Sequence, residues 1–392
     1  MKKTPQFDRF FAAATCLVLL LCFLYCIVFS DDINSYENRP ANKVPPFSAA
    51  EFLAGTYQDS LEDALMDQMP LSETLKRFFN NTSTTLLALI MDPILESGPR
   101  QYVSFRGLQF FGGDYLCYQT KTPADLQPAM DNRIAELNET IRNNPDVTFY
   151  LYYIECDVDI DFETGERTGI WESLSAGMDL PSQQMARLEV PDFATYSRYF
   201  FRTDHHWNHV GAYEGYRQTA GLMGIPEEEL LIPLETLTVE QPLIGTKANS
   251  IGANVLNEPF HAYRFDLPAV QTRVNGDPNR TYGSAYEDYI GKTQGLSYAA
   301  YYGFDEGEVI FDTGRKDLDN LLILGNSYDN ALIRNLSCHF GKTCAVDLRY
   351  YEAHLGREFD FASYLREQEI DRVLLIGDNS YFSGNLFMMG GE

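Results

Sequence analysis

Three apolar runs near the C-terminus constrain the fold most. They are "NLLILG" (320–325), "CAVDLRYY" (344–351) and "DRVLLIGDNSYF" (371–382), separated by the helical segments "YDNALIRNL" and "FDFASYLREQE". Strands joined through one helix each must run side by side in one direction, which means a parallel sheet. An earlier pair repeats the order. "PADLQPAMDNRIAELNETIRNN" (123–144) has the apolar spacing of an amphipathic helix, and "DVTFYLYYIEC" (146–156) reads as a buried strand. The chain is therefore expected to be α/β.

The segments between are read as follows. A helix begins at Ala49 with Ser48 as its N-cap, and a second runs from Leu61 to Phe79, interrupted by Pro70. "NNTSTTLL" marks a turn, and "YVSFRGLQFFGGDYLCY" (102–118), broken by Gly-Gly, reads as a hairpin. Asp179–Val190 is expected to be helical. Another helix starts after Asn208, buries Val210, Tyr213, Tyr216, Ala220 and Met223, and stops at Gly224 and Pro226. Residues 226–320, with scattered Gly, Pro, Asn and Tyr among short β-like runs, read as a β-rich insertion.

The N-terminus reads as an address. Lys2, Lys3 and Arg9 precede "FFAAATCLVLLLCFLYCIVFS" (10–30), 21 residues without a charge, and Asp31 and Asp32 follow. As a helix this run spans the hydrocarbon core of a bilayer, about 30 Å. Its flanks predict a cytoplasmic N-terminus and an extracytoplasmic body on a single-pass anchor. A cleaved signal peptide would have a shorter apolar region ending in small residues, which "LYCIVFS" lacks. The expected organisation is a cytoplasmic tip and transmembrane helix (1–30), an extended linker (31–60) and one catalytic α/β domain (61–392) carrying the insertion. With 45% hydrophobic residues the domain can bury a large core.

Beyond the anchor the chain carries 27 basic against 55 acidic residues, which argues against nucleic acid or an anionic bilayer surface as the main partner. Four cysteines lie outside the anchor: Cys117, Cys156, Cys338 and Cys344. An even number in an exported body permits two disulfides in three pairings. Cys338–Cys344 is the favoured pair, with two buried free thiols as the alternative.

Two motifs carry chemistry. "RTDHHWNHVGAY" (202–213) holds three of the six histidines. "LLILGNSYDNA" places Ser327 on the turn between a strand tip and a helix, where sites occur in open α/β sheets. Ser327 there is either an N-cap or a nucleophile. A serine nucleophile needs a base, and the base needs a group that orients it; His206 and Asp204 supply both. A zinc site on His205 and His209, spaced i, i+4, is the competing reading, weakened because the helix starts near His209.

"TDHHW" followed by "GAY" and, about 120 residues on, "LLILGNSYDNA" resembles the DHHW family of bacterial exported proteins. These are similar to the AlgX and AlgJ alginate acetylation proteins. "YENRPANKVPPFS", "DQMP", "YAAYYGFDEGEVI" and "VDLRYY" extend the resemblance over nearly the whole chain beyond the anchor.

The resemblance implies an SGNH-hydrolase-like three-layer α/β/α fold with a parallel sheet and a circularly permuted motif order, the Asp-x-His block preceding the Ser block. It implies Ser327 as nucleophile, His206 as base and Asp204 as its orienter, with no cofactor and no metal. The Ser block usually reads Gly-Asp-Ser; here it is Gly-Asn-Ser, a departure beside the nucleophile. "VLLIGDNSY" resembles the block that supplies an oxyanion Asn, making Asn379 a candidate beside Gly325 and Tyr328. The implied activity is O-acetyl transfer to, or acetyl-ester hydrolysis on, a surface polysaccharide, with a membrane acyltransferase partner as acyl donor. A non-catalytic glycan-binding or assembly protein on the same fold is the alternative.

Overall fold

The computed structural model describes residues 5–28, 33–34, 39–72, scattered positions between 74 and 86, 103–105, 107–111, 115–251, 257–280, 282–283 and 298–383. The chain divides into two units, Met1–Glu96 with Ala248–Val255, and Ser97–Lys247 with Leu256–Glu392.

The first unit contains a helix Pro5–Val28 and two shorter helices, Ala49–Ala54 and Thr56–Gln68. Ser48 caps the second of these, its Oγ accepting from the Glu51 amide. Among the described residues no helix is long and apolar enough to cross a membrane. Only residues 10–26 of the Pro5–Val28 helix have described side chains, and most of these are exposed.

The second unit is built on a seven-stranded sheet. In chain order its strands are β1 (Thr148–Ile154), β2 (Met185–Leu188), β3 (Gln271–Val274), β4 (Glu308–Asp312), β5 (Leu321–Leu324), β6 (Lys342–Val346) and β7 (Arg372–Gly377). They lie in the order β3-β4-β6-β5-β7-β1-β2. The five from β6 to β2 are mutually parallel, and β4 is antiparallel to both its neighbours. The fold is thus mixed α/β with a large, mostly parallel sheet.

Period-2 alternation sends each central strand into two cores. Leu321 and Ile323 of β5 join Leu374, Ile376, Tyr152 and Ile154 on one face. Leu322 and Leu324 join Val373, Leu375, Phe149 and Leu151 on the other. Helices cover both faces. α1 (Pro123–Asn143), α2 (Ile170–Gly177) and α6 (Phe361–Glu367) pack on the second core. α3 (Phe193–Tyr199), α4 (His209–Leu222) and α5 (Ile333–Ser337) pack on the first. Burying each Leu or Ile contributes about 1.5–3 kcal/mol, so the pattern in 321–324 alone is enough to seat β5 at the sheet's centre.

Several expectations are corrected. Asp179–Val190 is not a helix: Ser182–Gln184 forms one 3-10 turn and β2 follows. Met, Ala, Arg and Leu favour helix, but pairing of Met185–Leu188 with Leu151–Ile154 at the sheet edge overrides that preference. The hairpin at 102–118 is a three-stranded meander, Val103–Phe105, Leu108–Phe111 and Tyr115–Tyr118; its Gly-Gly break lies outside the described residues.

Segment 226–320 holds the hairpin Glu235–Leu243 with Glu258–Arg264, and also supplies β3 and β4 to the main sheet. The Cys338–Cys344 disulfide does not form, and Cys117, Cys156, Cys338 and Cys344 are all buried free thiols. Cys344 sits mid-strand in the core, where burial pushes its thiol up to about 12.

Candidate active site

The two motifs meet at the carboxyl end of the sheet. His206 Nε2 lies 2.8 Å from Ser327 Oγ, and His206 Nδ1 lies 2.6 Å from Asp204 Oδ1. A carboxylate only accepts, so Nδ1 carries the proton. Nε2 is then left as an acceptor facing the serine hydroxyl.

The histidine motif is locally folded to present these groups. The Phe201 amide donates to the His206 carbonyl and the Asn208 amide to the Tyr199 carbonyl, at 3.2 and 2.7 Å, closing a tight hairpin ahead of α4. Asn208 caps α4, accepting from the Val210 and Gly211 amides. Trp207 is fully buried beneath.

Asp204 is completely buried and richly bonded. Its Oδ1 also accepts from the His206 amide at 2.9 Å, and its Oδ2 accepts from the Thr246 amide at 2.8 Å. Burial alone would raise its pKa. The neighbouring His206 and these hydrogen bonds outweigh burial and hold the carboxyl far below the usual carboxylate range.

Tyr298 lies flat against the His206 ring, centroids 3.8 Å apart and planes 3° from parallel. Its hydroxyl accepts from Trp207 Nε1 and donates to the Tyr328 carbonyl, both at 3.2 Å. The imidazole therefore cannot tip out of line without breaking a buried stack.

Supporting residues come from segment 226–320. Glu258 accepts from the Arg202 amide and from the Thr203 amide and hydroxyl, at 2.8–3.0 Å. Lys247, next to Thr246, is fully buried. It donates to Asp157 at 2.6 Å and to the Tyr196 hydroxyl at 2.9 Å. Burial would lower the lysine pKa, but the Asp157 carboxylate raises it further. Sequence inspection missed Thr246, Lys247, Glu258 and Tyr298. A buried lysine is visible only once burial is known; Thr246 and Glu258 carry no motif, and Tyr298 opens "YAAYYGFDEGEVI", which gives no sign that its ring lies on His206.

The remaining candidates are placed as follows. Gly325 ends β5 with Asp329 pressed against it: a Cβ there would meet Asp329 Oδ2 at 2.2 Å. Tyr328 is buried, and its hydroxyl donates to the His205 carbonyl at 2.6 Å, so its side chain braces the site rather than facing outward. Asn379 lies just past the tip of β7, buried, its Nδ2 4.0 Å from Cys156 Sγ and its Oδ1 without a partner. No hydrogen bond between Asn379 and Ser327 occurs among the described residues. Ser327 itself sits on a turn before the 3-10 stretch Asp329–Ala331 and short α5, not at the head of the longer helix expected.

The donors of Asp204, His205 and His206 lie within 4.8 Å of one another, a grouping that could hold a metal ion. Both Asp204 oxygens already accept hydrogen bonds, and the second nitrogen of His206 faces Ser327. His205 Nδ1 is 2.6 Å from Thr246 Oγ1, and burial followed by the adjacent His206 pushes His205 down to about 3. His209, the other half of the i, i+4 pair, packs instead on His261 and Tyr263.

No family model matches the chain, and no curated protein matches it. Solved structures do. Bacillus cereus PatB1, solved with a sulfonyl adduct, is 18% identical at a TM-score of 0.54, covering 74% of this chain and 100% of that one. A DHHW family protein from Eubacterium siraeum DSM 15702 is 18% identical at a TM-score of 0.52, covering 72% and 94%. The O-acetyltransferase domain of Pseudomonas putida AlgJ, 11% identical over 73% and 96% of the two chains at a TM-score of 0.41, is too distant to carry an argument. The first two likenesses establish a shared fold. In structure the chain resembles a DHHW family protein, in line with the resemblance drawn from its motifs.

Proposed function

We propose that the chain is an extracytoplasmic Ser-His-Asp acyl-ester enzyme on an SGNH-hydrolase-like fold with permuted motif order. It acts as an O-acetyltransferase or acetylesterase on a surface polysaccharide. The observation that carries the reading is the unbroken hydrogen-bond chain Ser327–His206–Asp204.

Ser327 Oγ attacks the acyl carbonyl while His206 Nε2 takes its proton. Asp204 fixes the imidazole tautomer and stabilises the cation that forms. The tetrahedral intermediate collapses, and His206 returns the proton to the departing alkoxide. The acyl group is then an ester on Ser327. A sugar hydroxyl or water repeats the sequence in reverse, losing its proton to His206 as the serine is regenerated. Donors such as the Asn379 amide would stabilise the oxyanion, each contributing about 10²–10³-fold where well placed.

On this reading Pro5–Val28 is a single-pass anchor. Its apolar, mostly exposed side chains over 10–26 and the Lys2/Lys3/Arg9 flank support that placement. A membrane acyltransferase then serves as acetyl donor, and the acidic surface suits a polymer that is not strongly anionic.

A sulfonyl fluoride or fluorophosphonate tests the nucleophile. Wild-type protein is expected to gain one adduct, mapped to Ser327 by peptide mass, with none in Ser327→Ala. Equal labelling of the two would remove Ser327 from the role. An acetylated oligosaccharide then separates outcomes: acetate release marks an esterase, transfer to a second glycan a transferase, and binding without either the non-catalytic alternative. Fractionation tests the anchor: the full chain pellets with membranes, and a chain lacking residues 1–30 does not.

A further inference from the structure

β5 and β7 are parallel neighbours in register, Leu324 opposite Leu375, so their tips emerge side by side. One continues as Gly325-Asn326-Ser327-Tyr328 and the other as Gly377-Asp378-Asn379-Ser380-Tyr381. Asn326 Nδ2 donates to Asp378 Oδ1 at 3.1 Å, and Asn326 Oδ1 accepts from the Tyr328 amide at 3.4 Å. The Asn326 side chain therefore spans the turn that carries Ser327, to the Tyr328 amide, and ties that turn to the adjacent strand tip. Asp378 Oδ1 also accepts from the Ser380 amide and hydroxyl and from the Tyr381 amide, at 2.5–3.3 Å. Both Asn326 and Asp378 are buried.

The geometry points to Asn326 as the positioning residue for the nucleophile, through a charge-specific clamp to Asp378. An aspartate at 326 could still accept from the Tyr328 amide, but it has no donor for Asp378. Two carboxylates would then oppose each other in a setting already crowded with acids. Asp329 lies against Gly325, and Asp347 lines the same small cavity as Asn326, Arg349 and Ser380. Arg349, the nearby cation, is engaged by Asp347 and Asp305. The departure from Gly-Asp-Ser to Gly-Asn-Ser is thus matched by Asp378 on the neighbouring tip. Reading the clamp through catalysis rests on the Ser327 acyl-enzyme reading.

The test uses the full chain, a fluorophosphonate probe and thermal melting from pH 5 to 8. Asn326→Asp is expected to slow Ser327 labelling about 10- to 100-fold at pH 8. The variant-to-wild-type ratio should rise toward one as pH falls, because one shared proton restores the missing donor. The exchanged pair Asn326→Asp/Asp378→Asn removes the opposed like charges, but the amide oxygen at 378 must still hold the Ser380 and Tyr381 donors, so the bond between the tips is not rebuilt and labelling is expected to recover only in part, to between the single variant and wild type. Asn326→Asp labelling like wild type at pH 8, a ratio indifferent to pH, or an exchanged pair as slow as the single variant would each overturn the clamp. A wild type unlabelled, like Ser327→Ala, would sink the acyl-enzyme reading instead. Melting then decides the clamp: a depressed midpoint in Asn326→Asp that the exchange raises part of the way back upholds it, and a midpoint that is unchanged in Asn326→Asp or not raised by the exchange ends it.

Discussion

His206 is gripped by an acid at one nitrogen, a serine at the other and a phenol ring across its face. Each contact controls a different quantity. Asp204→Asn leaves the shape intact but offers an amide where a pure acceptor is needed, which favours the wrong imidazole tautomer. Turnover is expected to fall roughly 10³–10⁴-fold with substrate affinity little changed, read as kcat against KM on an acetyl ester. Tyr298→Phe keeps the stack and removes the hydroxyl that satisfies Trp207 Nε1 and the Tyr328 carbonyl. That change should cost about 1–3 kcal/mol of stability by urea unfolding while sparing most activity, since the ring still blocks the imidazole from tilting. Equal losses in both measurements would mean the hydroxyl, not the ring, holds the His206 imidazole.

At the level of elements, the histidine motif makes sense only together with the helix after it. Gly211 lies where a Cβ would meet the Tyr199 carbonyl oxygen at 2.3 Å, and Gly215 where it would meet the Trp207 ring at 2.5 Å. Both obstacles are a backbone or a fully buried indole, so neither yields cheaply. Gly211→Ala is expected to destabilise by about 1–3 kcal/mol and to reduce Ser327 labelling, because the α3–α4 junction that carries His206 must open. A variant with wild-type melting and labelling would show the junction to be softer than its packing implies. This coupling also explains what could be read in the sequence. The central strands were legible because residues such as 321–324 are apolar throughout. Asp204, His206 and Ser327 were legible because each lies in a short motif beside a recognisable element. β2 was not, because sheet-edge pairing overrode the helical preference of "MARL". Thr246 acts through its backbone amide and Glu258 through a carboxylate that no motif marks, and the letters of "YAAYYGFDEGEVI" do not show that the Tyr298 ring lies on His206.

Across the whole molecule, buried acid gathers at one end of the sheet. Glu155, Asp157 and Asp159 follow β1, Asp329 follows β5, and Asp347 and Asp378 sit at the tips of β6 and β7. Some are matched by cations: Glu155 by Arg167 and Arg187, Asp157 by Lys247, Asp347 by Arg349. Asp159 is held instead by the Tyr153 hydroxyl and the Cys156 amide, and burial pushes it up to about 7. Burial also raises Asp329, helped by Asp347 and Asp305. A carboxyl whose folded pKa is raised favours folding most when it is protonated in both states, below its unfolded value of about 3.9. That contribution is lost as pH rises toward about 7 for Asp159. Asp204 works in the opposite sense, stabilising above the unfolded value and weakening as acid protonates it. Asp159→Asn removes one raised group. Relative to wild type, it should therefore gain stability between pH 4.5 and 7.5, by up to a few kcal/mol in urea unfolding at each pH. A pH-independent difference would mean that Asp159 is ionised in the folded protein at neutral pH, and that its two hydrogen bonds just balance the burial of its charge.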